Sequence, residues 1–147
     1  MKKITLYISM MLCLTAVAFA QKAEIFSADG KAIKGYDPVA FFKAGKAIKG
    51  NDSLTYQWKE ATWYFATKEN LDSFKTEPTL YTPQYGGYCA YGTADGHKAP
   101  TETGTWKIVN NKLYFNYNQK VKSLWENNQA ALIEKADANW KEIKNKE

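Results

Sequence analysis

The sequence contains no arginine and few of the side chains that metal and thiol chemistry require. All 20 basic residues are lysines, the single histidine is His97, and the only cysteines are Cys13 and Cys89. The three methionines lie within the first eleven residues. Sequence-specific nucleic-acid binding commonly uses the arginine fork on guanine or phosphate. The composition therefore argues against a nucleic-acid partner.

The first twenty residues have the pattern of an export signal. Lys2 and Lys3 form a basic end, residues 4–19 carry no charge, and Ala18-Phe19-Ala20 is a small-x-small cleavage pattern. We expect cleavage after residue 20, a periplasmic or secreted protein, and no membrane span in the mature chain. The remaining 127 of the 147 residues suit one domain. Its formal charge falls from +5 to +3 because two lysines leave with the signal.

The expected mature chain is poor in soft metal ligands. Cys13 and every methionine leave with the signal, so Cys89 has no internal disulfide partner, and His97 is the only imidazole. A closed structural zinc site takes four Cys or His ligands, and a thiolate–thioether Cu(I) site needs methionine. We therefore predict no cofactor. An open or intermolecular transition-metal site at Cys89 and His97, completed by a carboxylate and water, is the alternative.

Cys89 lies in the most unusual stretch of the chain. Residues 81–92 contain four tyrosines, three glycines, a proline and the thiol. Gly86-Gly87 predicts a tight loop that leads into a short helical turn. In the first turn of that helix, free N–H groups and the helix dipole would stabilise the thiolate of Cys89. The opposite interpretation is also open, because a free cysteine often packs as a small buried apolar residue.

The same stretch is the candidate functional site. Its aromatic rings, flexible backbone and sole thiol predict a surface that binds a small ligand or a partner protein. The predicted ligand-binding residues are Tyr85, Tyr88, Cys89 and His97. No catalytic residue is assigned, and the predicted function is a non-enzymatic binding or accessory module. The alternative is a thiol-dependent redox protein that uses Cys89. A nucleophilic Cys–His pair would also need a third residue that orients the histidine, and Asp37 and Asp95 are candidates only by elimination. His97 lies in a polar loop, which is typical of an exposed histidine.

Alternating apolar residues predict two antiparallel β-hairpins. Residues 54–58 and 63–65 alternate with period two around a turn at Lys59-Glu60-Ala61. Residues 106–109 and 112–116 flank Asn110-Asn111, which tolerates the positive backbone dihedrals of a tight turn. We therefore expect a small α+β domain in which short helices pack two hairpins.

Helix signals occupy the segments between and after the hairpins. Asp37-Pro38 predicts an N-cap and first helical residue for a helix over 39–43, and Thr67 predicts the cap of a helix over 68–75. From Gln119 the apolar spacing becomes helical. Two C-terminal helices are expected there, separated at Asn127-Asn128.

Several short segments share a pattern with a known domain family. They are Tyr36-Asp37-Pro38-Val39-Ala40, Trp63-Tyr64-Phe65-Ala66-Thr67, Pro83-Gln84-Tyr85-Gly86-Gly87-Tyr88-Cys89-Ala90, Trp106-Lys107-Ile108-Val109 and Ala136-Asp137-Ala138-Asn139-Trp140. In these segments the chain resembles the YHS-domain family, particularly its small exported members. The resemblance implies a compact α+β domain over residues 36–145. Residues 21–35 precede it, and we predict that they form a loosely held segment with a short strand around Glu24 to Phe26.

The cysteines of the metal-associated YHS relatives are missing from this chain. Those relatives carry a cysteine after Asp-Pro-Val and a Phe-Cys-Ser-x-x-Cys-x-x-x-Phe pattern. Ala40 stands at the first cysteine position, and Ala66 and Asn70 stand at the next two. The metal sensing of those relatives is therefore not carried over to this chain.

Overall fold

The computed structural model describes residues 22–146, so the expected export signal lies outside the described part of the chain. The helices are α1 (Pro38–Lys43), α2 (Lys68–Thr76), α3 (Pro78–Tyr81), α4 (Ala90–Ala94), α5 (Gln119–Asn127) and α6 (Gln129–Ile143). The strands are β1 (Ser27–Ala28), β2 (Lys31–Ala32), β3 (Asn51–Trp58), β4 (Ala61–Phe65), β5 (Glu102–Val109) and β6 (Lys112–Asn116). The predicted α+β class is confirmed. Among the described residues, no helix is long and apolar enough to cross a membrane.

The strands form a four-stranded mixed sheet and a separate two-stranded hairpin. The larger sheet has the order β1-β2-β4-β3, with β2 parallel to β4 and the other pairs antiparallel. Strands β5 and β6 form the second sheet. Both predicted hairpins are present, and their two-residue turns at Lys59-Glu60 and Asn110-Asn111 have identical φ values of 49° and 59°. Positive φ at both turn positions matches the right-handed twist of the flanking strands.

The segment over residues 22–35 differs from its prediction. No strand forms at Glu24 to Phe26; the chain instead pairs at Ser27–Ala28 and Lys31–Ala32. Nor is the segment loosely held, because Ile25 is 2% exposed and belongs to the main core. The backbone N–H of Phe26 donates to the carbonyl oxygen of Gly86 at 2.9 Å. The segment is therefore tied to the tyrosine- and glycine-rich loop.

Side-chain caps begin the helices where the sequence predicts them. Asp37 Oδ1 accepts hydrogen bonds from the N–H groups of Val39 and Ala40 at the start of α1. Thr67 accepts from the N–H of Asn70 at the start of α2. These caps satisfy N–H groups that have no partner within the helix.

The core has two clusters with β6 between them. Leu113 and Phe115 contribute to the first cluster, where aromatic rings from β4, α1 and α2 pack together, and Tyr114 contributes to the second, with Trp125 of α5. This division follows from the alternation of side chains along a strand, which sends neighbouring residues to opposite faces. Alanines allow α4 to pack closely on α6: Ala90, Ala94 and Ala136 are fully buried.

Candidate functional site

The tyrosine- and glycine-rich loop is a turn of 3-10 helix at Gln84–Gly87 with a left-handed backbone. Tyr85, Gly86 and Gly87 have φ values of 57°, 62° and 89°. Glycine is required at 86, because a Cβ there would collide with the carbonyl oxygen of Glu24. Tyr85 lacks this freedom, and its left-handed conformation costs roughly 1–2 kcal/mol. The surrounding contacts must therefore hold Tyr85 in place.

Those contacts come from the C-terminal helix, α6, and from β6. The hydroxyl of Tyr85 donates to Asp137 Oδ1 at 2.8 Å, and its ring packs 5.9 Å from the ring of Tyr114 and 6.0 Å from the ring of Trp140. Burial, followed by the hydrogen bond and charge of Asp137, raises the pKa of Tyr85 well above its ordinary value. Tyr85 is therefore a neutral hydrogen-bond donor at physiological pH.

A cleft of about 450 Å³ opens between this loop, the β3–β4 turn, α3 and α6. Its aromatic walls are Trp58, Tyr85 and Trp140. The charged side chains that line it are Glu24, Lys59, Lys112, Asp137 and Lys141. Trp58 packs on the first core cluster and Trp140 on the second, so the cleft lies where the two clusters meet. Its volume falls within the range of about 300–1,000 Å³ that is typical of small-molecule sites.

Tyr88 is buried and borders a different cavity. Its hydroxyl donates to the carbonyl oxygen of Ala23 at 2.8 Å, and with Phe26 and Lys98 it lines a cavity of about 300 Å³. Its ring centroid lies 5.4 Å from Lys98 Nζ, and the ring of Trp140 lies 5.7 Å from the same ammonium group. Tyr88 thus forms part of the surroundings of a buried cation.

That cation, Lys98, is 2% exposed, and no sequence pattern marked it. Its ammonium group donates to the carbonyl oxygens of Lys22 at 2.8 Å, Lys144 at 2.9 Å and Lys146 at 2.8 Å. The last two carbonyls follow the end of α6, where a positive charge is favourable. Burial, together with the nearby charge of Lys22, lowers the pKa of Lys98. Lys98 therefore joins the beginning of the described chain to the end of its last helix.

Cys89 is 1% exposed, at the N-cap of α4 and just before the first turn. Its Sγ accepts from the N–H of Gly92 at 3.4 Å and lies 3.7 Å from Asn116 Oδ1. Burial raises the pKa of the Cys89 thiol, although backbone N–H groups, that of Gly92 foremost, partly offset the rise. This is the opposite of the depressed pKa that a reactive thiolate requires. Its geometry is that of a structural cysteine.

His97 lies in an exposed loop, as the polar sequence around it indicates. Its backbone N–H donates to the carbonyl oxygen of Gly92, and a Cβ at Gly92 would lie 3.2 Å from His97 Nε2. The hydrogen bonds of Cys89 within residues 22–146 do not reach His97. Within the same residues, His, Cys, Asp and Glu side chains do not form a cluster of three that could hold a metal ion.

The four predicted site residues therefore do not share one surface. Tyr85, Tyr88 and Cys89 are 4%, 6% and 1% exposed, while His97 is exposed. Tyr85 alone among them lines the cleft. Sequence reasoning missed Trp58, which it placed only in a strand of the first predicted hairpin. It also assigned Asp137 only to the family pattern, although the three-residue spacing from Asp137 to Trp140 places both on one helix face.

A more polar concavity of about 600 Å³ lies at the β1–β2 end of the larger sheet. Lys31, Lys34, Lys49, Asp52 and Tyr64 are among its lining residues. Lys31 is already paired with Asp52 at 3.5 Å and stacked over Tyr64 at 4.7 Å. Among the residues described, Tyr64 alone gives this concavity an aromatic wall, so it offers less apolar area to a ligand than the cleft beside Tyr85.

Comparisons with protein-family models, curated proteins and solved structures returned no match for this chain. The YHS resemblance therefore rests on the short sequence segments that carry it and stays a prediction.

Proposed function

We propose that the protein is a non-enzymatic binding or accessory module of the YHS type, and that it holds a small molecule in the cleft beside Tyr85. The observation that carries this proposal is the composition of the cleft walls. Two half-buried indoles, Trp58 and Trp140, provide apolar area, and the hydrogen-bonded pair of Tyr85 and Asp137 provides fixed polar groups. Such a combination is typical of ligand sites.

The lining residues favour binding over catalysis. Among the described residues that border the cleft there is no cysteine, serine or histidine to act as a nucleophile or as a base near neutral pH. Oδ1 of Asp137 accepts a hydrogen bond from the hydroxyl of Tyr85, which orients the carboxylate. The burial and raised pKa of Cys89 count against the alternative of a thiol-dependent redox protein. Export to the periplasm or the medium is part of the proposal and is tested by the N-terminal sequence of the mature protein.

Nuclear magnetic resonance of the indole N–H groups tests the binding proposal directly. The chain has five tryptophans, of which Trp58 and Trp140 line the cleft and Trp125 is fully buried in the second cluster. In titrations with a library of fragment-sized molecules, binders should shift the signals of Trp58 and Trp140 together and leave Trp125 unmoved. A library in which no molecule moves the two cleft signals selectively would remove the proposal.

A further inference from the structure

We infer that the ligand of this cleft is a small organic anion, with an apolar body against the two indoles and an oxyanion, such as a carboxylate, near Lys112 and Lys141. This inference rests on the proposed function and adds the chemical class of the ligand. It is drawn from the charged side chains of the cleft that have no ion-pair partner.

The negative side chains of the cleft already have partners. Glu24 Oε1 accepts from Lys59 Nζ at 2.6 Å, and Lys59 also lies over the ring of Trp58 at 4.9 Å. Asp137 accepts from the hydroxyl of Tyr85. Lys59 therefore neutralises Glu24, whereas Asp137 keeps its negative charge, because the tyrosine hydroxyl is a neutral donor. With three lysines and two carboxylates among its lining residues, the cleft carries a net formal charge of +1.

Two positive side chains do not have such partners. Lys112 and Lys141 border the cleft and are exposed, and neither forms an ion pair within residues 22–146. Lys112 begins β6 immediately after the Asn110-Asn111 turn, and Lys141 follows Trp140 on α6. Two separate elements therefore bring ammonium groups without an ion-pair partner to the same opening, where they outnumber the one unpaired carboxylate, Asp137, and an anion is the complementary ligand.

The apolar half of the ligand follows from the rings. Trp58 and Trp140 are half-buried, so each keeps part of an indole surface toward the cleft. An inorganic anion would leave that surface in water. A molecule that joins an apolar body to an oxyanion uses both features, since its body leaves water while its charge stays near the exposed lysines.

A matched pair of fluorescent probes separates the two halves of the inference. The anion 8-anilinonaphthalene-1-sulfonate and the neutral N-phenyl-1-naphthylamine share their aromatic body and differ in the sulfonate. We expect the anion to bind the folded mature chain more tightly than the neutral probe and to shift the indole signals of Trp58 and Trp140. Its affinity should fall as ionic strength rises from about 0.01 M to about 1 M, because the Debye length shortens from ~30 Å to ~3 Å.

Charge-matched variants locate the effect. The double variant Lys112→Gln/Lys141→Gln should weaken binding of the anion about 5- to 20-fold, as expected for two exposed charge contacts, and leave the neutral probe unchanged. Lys46→Gln/Lys120→Gln removes the same charge from exposed positions outside the cleft and should leave both affinities unchanged. Circular dichroism confirms that each variant is folded.

The outcomes distinguish the inference from the function on which it rests. Equal affinities for both probes, with the Trp58 and Trp140 signals shifted, would keep a binding cleft and overturn its preference for anions. An equal loss of anion binding in the two double variants would also overturn it, because the effect would then be one of net charge. If neither probe moves the two indole signals, the anion inference is overturned, and the fragment titration decides the fate of the binding module.

Discussion

Asp37 provides the most demanding test of how this fold is held together, because one carboxylate joins three segments. It is fully buried, and its Oδ1 accepts from the N–H groups of Val39 at 2.8 Å and Ala40 at 3.2 Å. Its Oδ2 accepts from the N–H of Ala66 at 2.8 Å and from Asn70 Nδ2 at 2.7 Å. One oxygen therefore caps α1, while the other ties the end of the β3–β4 hairpin and the first turn of α2 to that cap.

The two oxygens can be tested separately. Asp37→Ala removes every acceptor and should cost about 3–5 kcal/mol of the free energy of unfolding, since it leaves four donors without an acceptor, two of them buried and two partly buried. Asp37→Asn keeps an acceptor for the cap, where asparagine is as good as aspartate. Its amide nitrogen, however, replaces Oδ2 opposite two donors, those of Ala66 and Asn70. We expect this variant to cost about 2–3 kcal/mol.

A compensating change tests the contact with Asn70. In Asp37→Asn/Asn70→Asp, the introduced amide donates to the introduced carboxylate across the same 2.7 Å gap, with donor and acceptor exchanged. The double variant should be more stable than the two single changes predict, by about 1–2 kcal/mol. Asn70→Asp alone places two carboxylates at that distance and should be destabilising.

Urea unfolding followed by tryptophan fluorescence and circular dichroism gives the four free energies by linear extrapolation. A typical domain has only about 5–15 kcal/mol of stability, so the expected losses are large against it. If Asp37→Asn lies within about 0.5 kcal/mol of the parent chain, or if the cycle shows no coupling, Oδ2 does not hold the hairpin and α2 to the cap.

Three further predictions concern the loop, the second core cluster and the thiol. Gly86→Ala should lose far more stability than Gly45→Ala in urea unfolding, because the two glycines have nearly equal φ values of 62° and 60° but only the first would place a Cβ against backbone; equal losses would contradict this. Burial raises the pKa of Tyr114 to about 12, so its contribution to stability is complete below about pH 10 and is lost as pH rises from ~10 toward ~12. Tyr114→Phe should therefore flatten the alkaline fall in unfolding free energy, and an unchanged slope would count against the assignment. Iodoacetamide should modify Cys89 slowly in the native protein and rapidly in urea, whereas fast native modification at neutral pH would restore the thiol-chemistry alternative.

Local sequence decided the elements of this fold because their signals act over a few residues. The cap of α1 joins Asp37 to Val39, two positions away, and the turn at Asn110-Asn111 depends on the dihedral preferences of those two residues. The alternation along β6 likewise divides the core between Tyr114 and its neighbours without reference to distant residues. Such signals can be read from one sequence.

The candidate site was decided by contacts between residues far apart in the chain. Tyr85 meets Asp137 across 52 positions, and Lys98 meets the carbonyl of Lys22 across 76. Cys89 is buried against β6, where it contacts Asn116 and pairs with Phe115, each more than 25 positions away in the chain. Packing of the whole chain determines which lysine or thiol is removed from water. That desolvation shifts the pKa of the group, and for a thiol it lowers reactivity, so neither property can be read from neighbouring residues alone.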